Sequence, residues 1–474
     1  MLDLIIRGGD VVLPQGVRRC DLAIEGEVIA AVAAPGSLAA DGARIVDATG
    51  KIVMPGGIDP HVHMHHPFAM PDGTTLYTQG PDRVGTAALY GGTTTLIDFA
   101  YMTADRSVAA SIEARDRDFA PRSCCDWAYH LMLASDPPPQ QFDELGEAIE
   151  AGYPTIKIFT TNIWPQRTGR MVDFGDIWEA FKVLSQKRGL GVIHAEDNDI
   201  VMHMYAKLIR EGRAGFENLA EVHNTLSEDL SFRRVLRLAE SVPGTALYMM
   251  HVSAASGVAA IAEARAKGLA VYGESLHQYM LFTAEDYRRP NGQIYHTYPS
   301  LKSPQDQRAL WEGTLSGAIN CIATDELCCT LREKTMGRRI DDTVGGNSGV
   351  EPRLGVMYTE MVVRRGYSLP RYVDLVATNA ARIMGLYPGK GVLAVGSDAD
   401  IAILDPNRRG KVRSEDLHET DYTPWEGHDI FAWPVMTILR GAIVVDNGRF
   451  QGREGAGRYL KRKIADEILH GPAL

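Results

Sequence analysis

Two histidines separated by one residue, His61 and His63, stand in the segment GGIDPHVH, at the end of a short apolar run. If that run forms a β-strand, alternate side chains point to the same face, and both imidazoles can bind one metal ion. Two histidines with this spacing can equally be ordinary surface residues. The choice between these interpretations depends on whether other metal-binding residues of the chain lie close to this pair.

Three further apolar runs are each followed by a residue that can bind a metal ion. These residues are His194 in GVIHAEDN, His251 in ALYMMHVSA and Asp325 in AINCIATDE. Each histidine can also be explained by a hydrogen bond to a neighbouring loop. An aspartate at such a position can bind a metal ion and take a proton from the attacking water, or it can cap a following helix.

Lys157 lies inside the apolar run TIKIF, where a strand would bury it. A buried ammonium group beside metal-binding imidazoles would lose its hydration and be repelled by the cations, so its charge must be removed or inverted. Carboxylation by carbon dioxide would convert it into an anionic carbamate whose two oxygens can bridge two metal ions. The alternative is a lysine whose ammonium group reaches the rim of the site and stays in water.

The elements that must position these residues are eight short apolar runs that alternate with segments of helical period between residues 52 and 330. This alternation predicts an α/β fold, a (β/α)₈ barrel, in which the carboxyl ends of all strands meet at one mouth. The candidate residues would then converge. The eight predicted strands are IVMPGGIDPHVH, TTTLIDFAY, DWAYHLMLAS, TIKIFTTN, GVIHAEDN, ALYMMHVSA, AVYGESLH and AINCIATDE.

The two ends of the chain predict a second, smaller unit. Residues 1–55 and 390–450 both contain short strand patterns separated by glycine turns, as in LIIRGGDVVL and GSDADIAILDP. We therefore expect both ends to build one small β-sandwich domain around a barrel formed by residues 56–389. Residues 451–474 mix charged and apolar residues and are expected to form a C-terminal tail or a subunit contact.

Taken together, these segments resemble the cyclic amidases of the amidohydrolase superfamily, in particular dihydropyrimidinase and D-hydantoinase. The resemblance spans nearly the whole chain and is carried by PGGIDPHVHMHHPF, GGTTTLIDFA, IKIFTTN, VIHAEDN, MHVSAASG, ATDE, GVEPRLGVMYTE, TNAARIMGLYPGKG and GSDADIAILDP. It implies hydrolysis of a dihydropyrimidine or hydantoin ring to an N-carbamoyl amino acid. It also implies two divalent metal ions, with zinc the expected metal, and a carbamate made from carbon dioxide on Lys157.

The resemblance assigns each candidate ligand to a metal ion. His61 and His63 would bind one zinc ion, His194 and His251 the other, and carboxylated Lys157 would bridge them. Asp325 would complete the first metal site and act as the catalytic base.

The chain departs from the family where the substrate would bind. Asn162 stands where hydantoinases usually have a tyrosine that stabilises the tetrahedral intermediate, and Glu326 replaces the usual histidine after Asp325. In the segment that binds the ring, this chain has YPSLK, so Asn162, Tyr298 and Ser300 are the predicted substrate contacts. An allantoinase, an imidase or another cyclic ureide hydrolase stays open on the same site, as does, less favourably, a non-catalytic scaffold relative.

Composition excludes several other classes of protein. The 49 Lys and Arg residues against 60 Asp and Glu give a formal charge of −11, without a basic stripe, so nucleic acid is not an expected partner. The six cysteines lack the spacing of a disulfide framework, and no apolar run approaches the ~18 residues of a membrane span. We expect a cytoplasmic enzyme without membrane contact. By resemblance, it would be a homo-oligomer, a tetramer or a dimer.

Overall fold

The computed structural model describes residues 2–69, 73–167 and 169–474, and its centre is a barrel of eight parallel strands. Neighbouring strands pair in chain order from the first to the eighth. A parallel bridge between Val62 and Glu326 joins the two remaining edges. The strands are β1 (Gly57–Asp59), β2 (Thr93–Tyr101), β3 (Asp126–Met132), β4 (Thr155–Phe159), β5 (Leu190–His194), β6 (Ala246–Met249), β7 (Val271–Leu276) and β8 (Cys321–Ala323).

The strands are buried almost without interruption because helices cover the outer face of the barrel and side chains fill its interior. The helix that precedes β8 shows how the sequence sets the ends of these elements: the Ser303 hydroxyl and the Asp306 carboxylate form a capping box at its start. Gly317 ends the same helix with a φ of 83°. The outer helices are Pro81–Tyr90, Val108–Phe119, Pro139–Glu150, Phe174–Lys187, Asn198–Arg210, Thr225–Glu240, Ala255–Ala266 and Pro304–Ser316.

Shorter elements fill the loops at the mouth and the segment after β8. A π-helical turn at Thr359–Arg364 continues the helix Arg353–Tyr358, and a second one at Asp374–Thr378 lies between Leu369–Val373 and Asn379–Ile383. Two small antiparallel sheets pair Pro67–Ala69 with Thr75–Tyr77 and Gly410–Lys411 with Asp429–Ile430. The remaining short helices and turns are Phe216–Asn218, Leu219–Val222, His277–Leu281, Ala284–Arg288, Gly292–Tyr295, Leu331–Lys334, Ser414–Asp416 and Asp466–Leu469.

Both ends of the chain contribute strands to one nine-stranded sheet. The join is antiparallel: Ile52–Pro55 pairs with Ile401–Asp405, and Val53 lies opposite Ile403. The predicted first barrel strand, IVMPGGIDPHVH, is therefore divided, because Ile52–Pro55 belongs to this sheet and only Gly57–Asp59 to the barrel. The other strands of the sheet are Leu4–Leu13, Gly16–Glu25, Val28–Ala33, Arg44–Asp47, Trp433–Leu439, Ala442–Asp446 and Arg449–Phe450.

The C-terminal segment lies against the barrel of its own chain. The backbone around Tyr459 pairs with Trp127, at the amino-terminal end of β3. The guanidinium of the buried Arg462 donates a 2.9 Å hydrogen bond to Thr155 Oγ1 at the start of β4. Residues 458–462 therefore cover the end of the barrel opposite the mouth.

The structure confirms the predicted fold class, a (β/α)₈ barrel with a smaller β unit made from both chain ends. Among the described residues, which include all six cysteines, every thiol is buried and unpaired. No helix in the described ranges is both long and apolar enough to cross a membrane.

Candidate metal centre

At the mouth of the barrel, two histidines from the end of β1 meet an aspartate from the end of β8. The Nε2 atoms of His61 and His63 lie 3.0 Å and 3.3 Å from Asp325 Oδ1. Ligand atoms of all three residues lie within 4.8 Å of one another, a spacing that suits one shared cation. Burial alone would raise the pKa of Asp325, but the two histidines hold it well below its usual value, so the carboxylate is charged.

A buried glutamate from β7 orients His61. Nδ1 of His61 donates a 2.8 Å hydrogen bond to Glu274 Oε1, which fixes the proton on Nδ1 and leaves Nε2 free to bind a metal ion. Glu274 also accepts hydrogen bonds from the Tyr248 hydroxyl, at 2.8 Å, and from the His251 backbone, at 3.2 Å. Burial would lower the pKa of His61, but Asp325 and Glu274 raise it to about 9.

A second pair of histidines comes from the ends of β5 and β6. The rings of His194 and His251 lie 4.4 Å apart, and His251 is 5.4 Å from His61. Nε2 of His194 donates a 2.9 Å hydrogen bond to Glu196, whose other oxygen accepts a 2.8 Å bond from His223. Nδ1 of His194 is therefore the nitrogen left for a metal ion, and burial lowers the pKa of this ring to about 4.

Lys157, in the middle of β4, is buried among the four histidines and two aromatic rings. Its Nζ lies 4.6 Å from the centre of the Phe159 ring and 2.8 Å from Met250 Sδ, which is a weak acceptor. Among the described residues, no carboxylate lies within ion-pair distance of this nitrogen. Burial lowers the pKa of Lys157 to about 7.

Two of the candidate ligands have a backbone conformation that residues other than glycine rarely adopt. His251 has a φ of 39° and Asp325 a φ of 52°, although neither is a glycine. Such strain persists only where the surrounding structure enforces it, and it is typical of functional sites. Both residues lie just beyond the end of a barrel strand, where the chain turns and points the side chain into the mouth.

The six predicted ligands all line one cavity. It is lined by His61, His63, His66, Phe68, Lys157, Phe159, Ile163, Arg167, His194, His251, Tyr298, Asp325, Leu327, Gly345 and Gly346. Four imidazoles, one carboxylate and an unpaired lysine form a donor set that suits divalent transition metals. The hydrogen bonds that orient His61 and His194 meet a further requirement of such a site.

The three predicted substrate contacts do not all line the cavity. Tyr298 lines the cavity, whereas the side chains of Asn162 and Ser300 are used elsewhere. Asn162 Oδ1 accepts hydrogen bonds from the backbone N–H groups of Arg170 and Met171, at 3.1 Å and 3.0 Å. Ser300 Oγ donates to the carbonyl oxygen of His223, and its own carbonyl oxygen accepts a 2.9 Å hydrogen bond from Lys302 Nζ.

Glu326, the residue beside the candidate base, faces away from the cavity. Its Oε2 accepts hydrogen bonds from the backbone N–H groups of Gly349 and Val350, at 2.7 Å and 3.0 Å. Burial and the neighbouring Glu419 raise the pKa of Glu326 well above its usual value. The carboxyl group therefore packs behind the mouth of the barrel, and Asp325 is the only acid among the described residues that line the cavity.

Three residues that contact the candidate ligands or line their cavity were not identified in the sequence. Glu196 stands two residues after His194 in HAED, the same alternation that places both side chains on one face, so the sequence contained a signal for it. Glu274 and Arg167 had none, because GES and PQR are ordinary short segments whose positions become meaningful only in the folded barrel.

The chain is similar to known proteins along nearly its whole length. The pattern of the amidohydrolase family matches residues 52–444. D-hydantoinase from Geobacillus stearothermophilus is 33% identical, over 97% of this chain and 96% of that protein. Dihydropyrimidinase from Rattus norvegicus is 29% identical, over 98% and 90%. The crystal structure of dihydropyrimidinase from Brevibacillus agri NCHU1002 superposes with a TM-score of 0.92 at 31% identity, covering 98% of this chain and all of that one.

Proposed function

The chain belongs to the amidohydrolase family, and we propose that it is a metal-dependent cyclic amidase that opens a dihydropyrimidine or hydantoin ring. The observation that carries this proposal is the convergence of His61, His63, Lys157, His194, His251 and Asp325 on one cavity. The full-length similarity to D-hydantoinase and dihydropyrimidinase supports the class of reaction.

We infer that the cavity binds two divalent cations. His61, His63 and Asp325 would hold one cation, and His194 with His251 the other. A bridging role for Lys157 is supported by its burial between these groups without an acidic partner among the described residues. A carbamate formed on its nitrogen would supply the missing negative charge and two oxygen ligands. Zinc is the expected metal, since imidazole nitrogens and carboxylate-type oxygens are its common ligands.

The reaction adds water across a ring C–N bond, with the hydroxyl group going to the carbonyl carbon and a proton to the nitrogen. When bound, the cations would lower the pKa of the attacking water and polarise the carbonyl group. Asp325 would take the proton from the water and pass it to the leaving nitrogen. Its position fits this role, because Thr297 donates a 3.0 Å hydrogen bond to Oδ2 and so holds the carboxylate in the cavity.

The remaining residues of the cavity favour an enzyme over a non-catalytic relative. Tyr298 and His66 line the same space as the six ligands, and the Tyr298 hydroxyl is a candidate donor to the oxygen of the carbonyl group under attack. A scaffold protein would have no need to keep a buried lysine and two strained ligands in one place. We also propose a cytoplasmic location, which the six unpaired thiols support, and a homo-oligomer is still expected.

The test combines metal analysis with a substrate panel. Protein purified with and without a chelator is analysed for zinc, manganese, cobalt and iron. Each preparation is then assayed on dihydrouracil, hydantoin, 5-substituted hydantoins, allantoin and succinimide. We expect about two ions per chain and chelator-sensitive opening of dihydrouracil or a hydantoin. If only allantoin or the imide is opened, that ring takes the place of dihydropyrimidines and hydantoins as the substrate class. A metal-loaded protein that is inactive on every ring would contradict the proposal.

A further inference from the structure

An arginine from the loop after β4 lies in the metal cavity. The loop runs from residue 160 to residue 173 and leads to the helix Phe174–Lys187. Within it, Arg167 lines the same cavity as the six candidate ligands. Its guanidinium carbon lies 5.9 Å from the centre of the Phe159 ring, which stacks at 4.8 Å on His194. Arg167 is therefore on the β4–β5 side of the mouth, close to where a substrate must enter.

The positive charge of Arg167 has no partner within the described part of the chain. No carboxylate there lies within 4.0 Å of its guanidinium, and the side chain donates no hydrogen bond to a described residue. Arg115, a second arginine near the mouth, is different, because its guanidinium is 2.6 Å from the Asp98 carboxylate. The neighbouring residues Pro165 and Gln166 are exposed to solvent, whereas the Arg167 side chain is partly buried in the cavity.

A third arginine, Arg170, adds positive charge close to Arg167. The guanidinium carbon of Arg170 lies 5.2 Å from the ring of Tyr101, whose hydroxyl is 3.3 Å from His63 Nδ1. Burial, followed by repulsion from Arg170, lowers the pKa of Arg167 to about 9, so the guanidinium stays mostly charged at neutral pH. The hydrogen bonds from the Arg170 and Met171 backbones to Asn162 close this part of the loop, and a parallel bridge between Met171 and Phe159 joins it to the end of β4.

We propose that Arg167 binds a carboxylate group on the substituent of the cyclic amide, so that the preferred substrates of this enzyme are anionic. The inference rests on the proposed function and adds the chemical class of the substrate. An unpaired, partly buried guanidinium in the cavity is stabilised by a carboxylate, which it can bind with two parallel hydrogen bonds. The cluster of cationic groups at the mouth would also attract an anion from solution. A neutral substituent would leave the guanidinium of Arg167 without a hydrogen-bonded anion.

The kinetic test compares two substrates of nearly the same shape, hydantoin-5-acetate and its neutral amide, hydantoin-5-acetamide. With the metal-loaded protein, we expect kcat/KM to be at least 10-fold higher for the acetate. The substitution Arg167→Gln should raise KM for the acetate by about 10- to 100-fold, the loss expected for a charged hydrogen-bonded pair, with a smaller change in kcat. The amide should be affected less than about 3-fold, and Arg167→Lys should restore part of the preference because it keeps the charge. Arg210→Gln, at an exposed position on an outer helix, is the control for a general charge effect.

A binding measurement tests the same idea without catalysis. Calorimetric titration of chelator-treated protein compares N-carbamoylaspartate with N-carbamoylasparagine, the two ring-opened products. We expect the aspartate derivative to bind at least 10-fold more tightly, and Arg167→Gln to abolish the difference. Equal dissociation constants in the unmodified protein, or a preference that survives Arg167→Gln, would overturn the inference.

The two proposals fail in different ways. If no ring is opened but the binding preference is present and depends on Arg167, the proposed function fails and the assignment of Arg167 as an anion-binding residue stands. If the acetamide is opened as efficiently as the acetate and Arg167→Gln changes both equally, the proposed function stands and the anionic substrate is refuted.

Discussion

The carboxylate of Glu274 offers a sharp test of how the metal centre is organised, because it touches one predicted ligand directly and supports a second. It accepts hydrogen bonds from His61 Nδ1 and the Tyr248 hydroxyl, both at 2.8 Å, and from the His251 backbone at 3.2 Å. All of these groups are buried. Glu274→Gln preserves the size of the side chain and removes its charge, so His61 loses the anion that fixes its proton on Nδ1.

The expected size of the effect follows from the role of Glu274 as a support for a ligand. Loss of a hydrogen-bonding partner behind a metal-binding histidine typically weakens metal affinity by about 10- to 100-fold, or about 1.4–2.8 kcal/mol. Tyr248→Phe is the matched control, because it removes one hydrogen bond from Glu274 without touching His61. Loss of one such bond is worth about 0.5–1.5 kcal/mol, so the control should weaken binding by less than about 10-fold.

The assay is a competition between the protein and a fluorescent chelator for zinc, read as the dissociation constant of each bound ion. We expect the ion at His61, His63 and Asp325 to be the one weakened in Glu274→Gln, while thermal unfolding of the metal-free proteins differs little. Unchanged zinc affinity in Glu274→Gln would show that Glu274 does not support metal binding by His61. An equal loss in Tyr248→Phe would show that general packing, and not the orientation of His61, is responsible.

Three further predictions follow from buried polar groups. Lys157→Met removes the nitrogen on which a carbamate could form, so metal analysis should find at most one ion per chain; two retained ions would exclude a bridging role. Asn162→Ala leaves the backbone N–H groups of Arg170 and Met171 without their acceptor, at about 1–3 kcal/mol each, so proteolysis within residues 160–172 should become faster. A loss of kcat/KM without faster cleavage would instead favour a direct substrate contact. Burial alone would raise the pKa of Glu360, but its basic neighbours lower it to about 2, so its contribution is complete above the unfolded pKa of about 4.5 and disappears as the pH falls towards 2. Glu360→Gln should therefore destabilise the fold in urea titrations by about 3 kcal/mol at pH 7 and by about 1.4 kcal/mol at pH 3, and a pH-independent difference would contradict this.

The barrel could be predicted, and candidate ligands could be chosen at its strand ends, because their signals are local. A strand buried on both faces must be apolar along its length, so Lys157 within TIKIF and His194 at the end of GVIH are conspicuous in the sequence itself. The rule that strand ends meet at one mouth then brings distant residues together without knowledge of any contact. The same reasoning failed to divide IVMPGGIDPHVH, since one apolar run can supply strands to two different sheets.

The substrate contacts could not be predicted in the same way, because the direction of a loop side chain depends on its partners. Asn162 was expected to face the substrate, but its amide oxygen accepts hydrogen bonds from the loop backbone. Arg167, five residues further on, lies in the cavity instead. Glu326 was adjacent to the candidate base in sequence, yet the backbone N–H groups of residues 349 and 350 turn it away from the cavity.

The fold class, the order of the barrel strands and the candidate metal ligands could be read from the sequence, since burial and spacing along each strand leave a local pattern. The groups that orient those candidate ligands, and the charge that lies unpaired beside them, became visible only in the folded chain. Glu274 binds His61 from 213 residues away, and Arg167 lies in the cavity with no described carboxylate within 4.0 Å of its guanidinium. Such interactions form when the chain closes into a barrel, because hydrogen bonding and charge compensation depend on distance in space and not on distance along the chain.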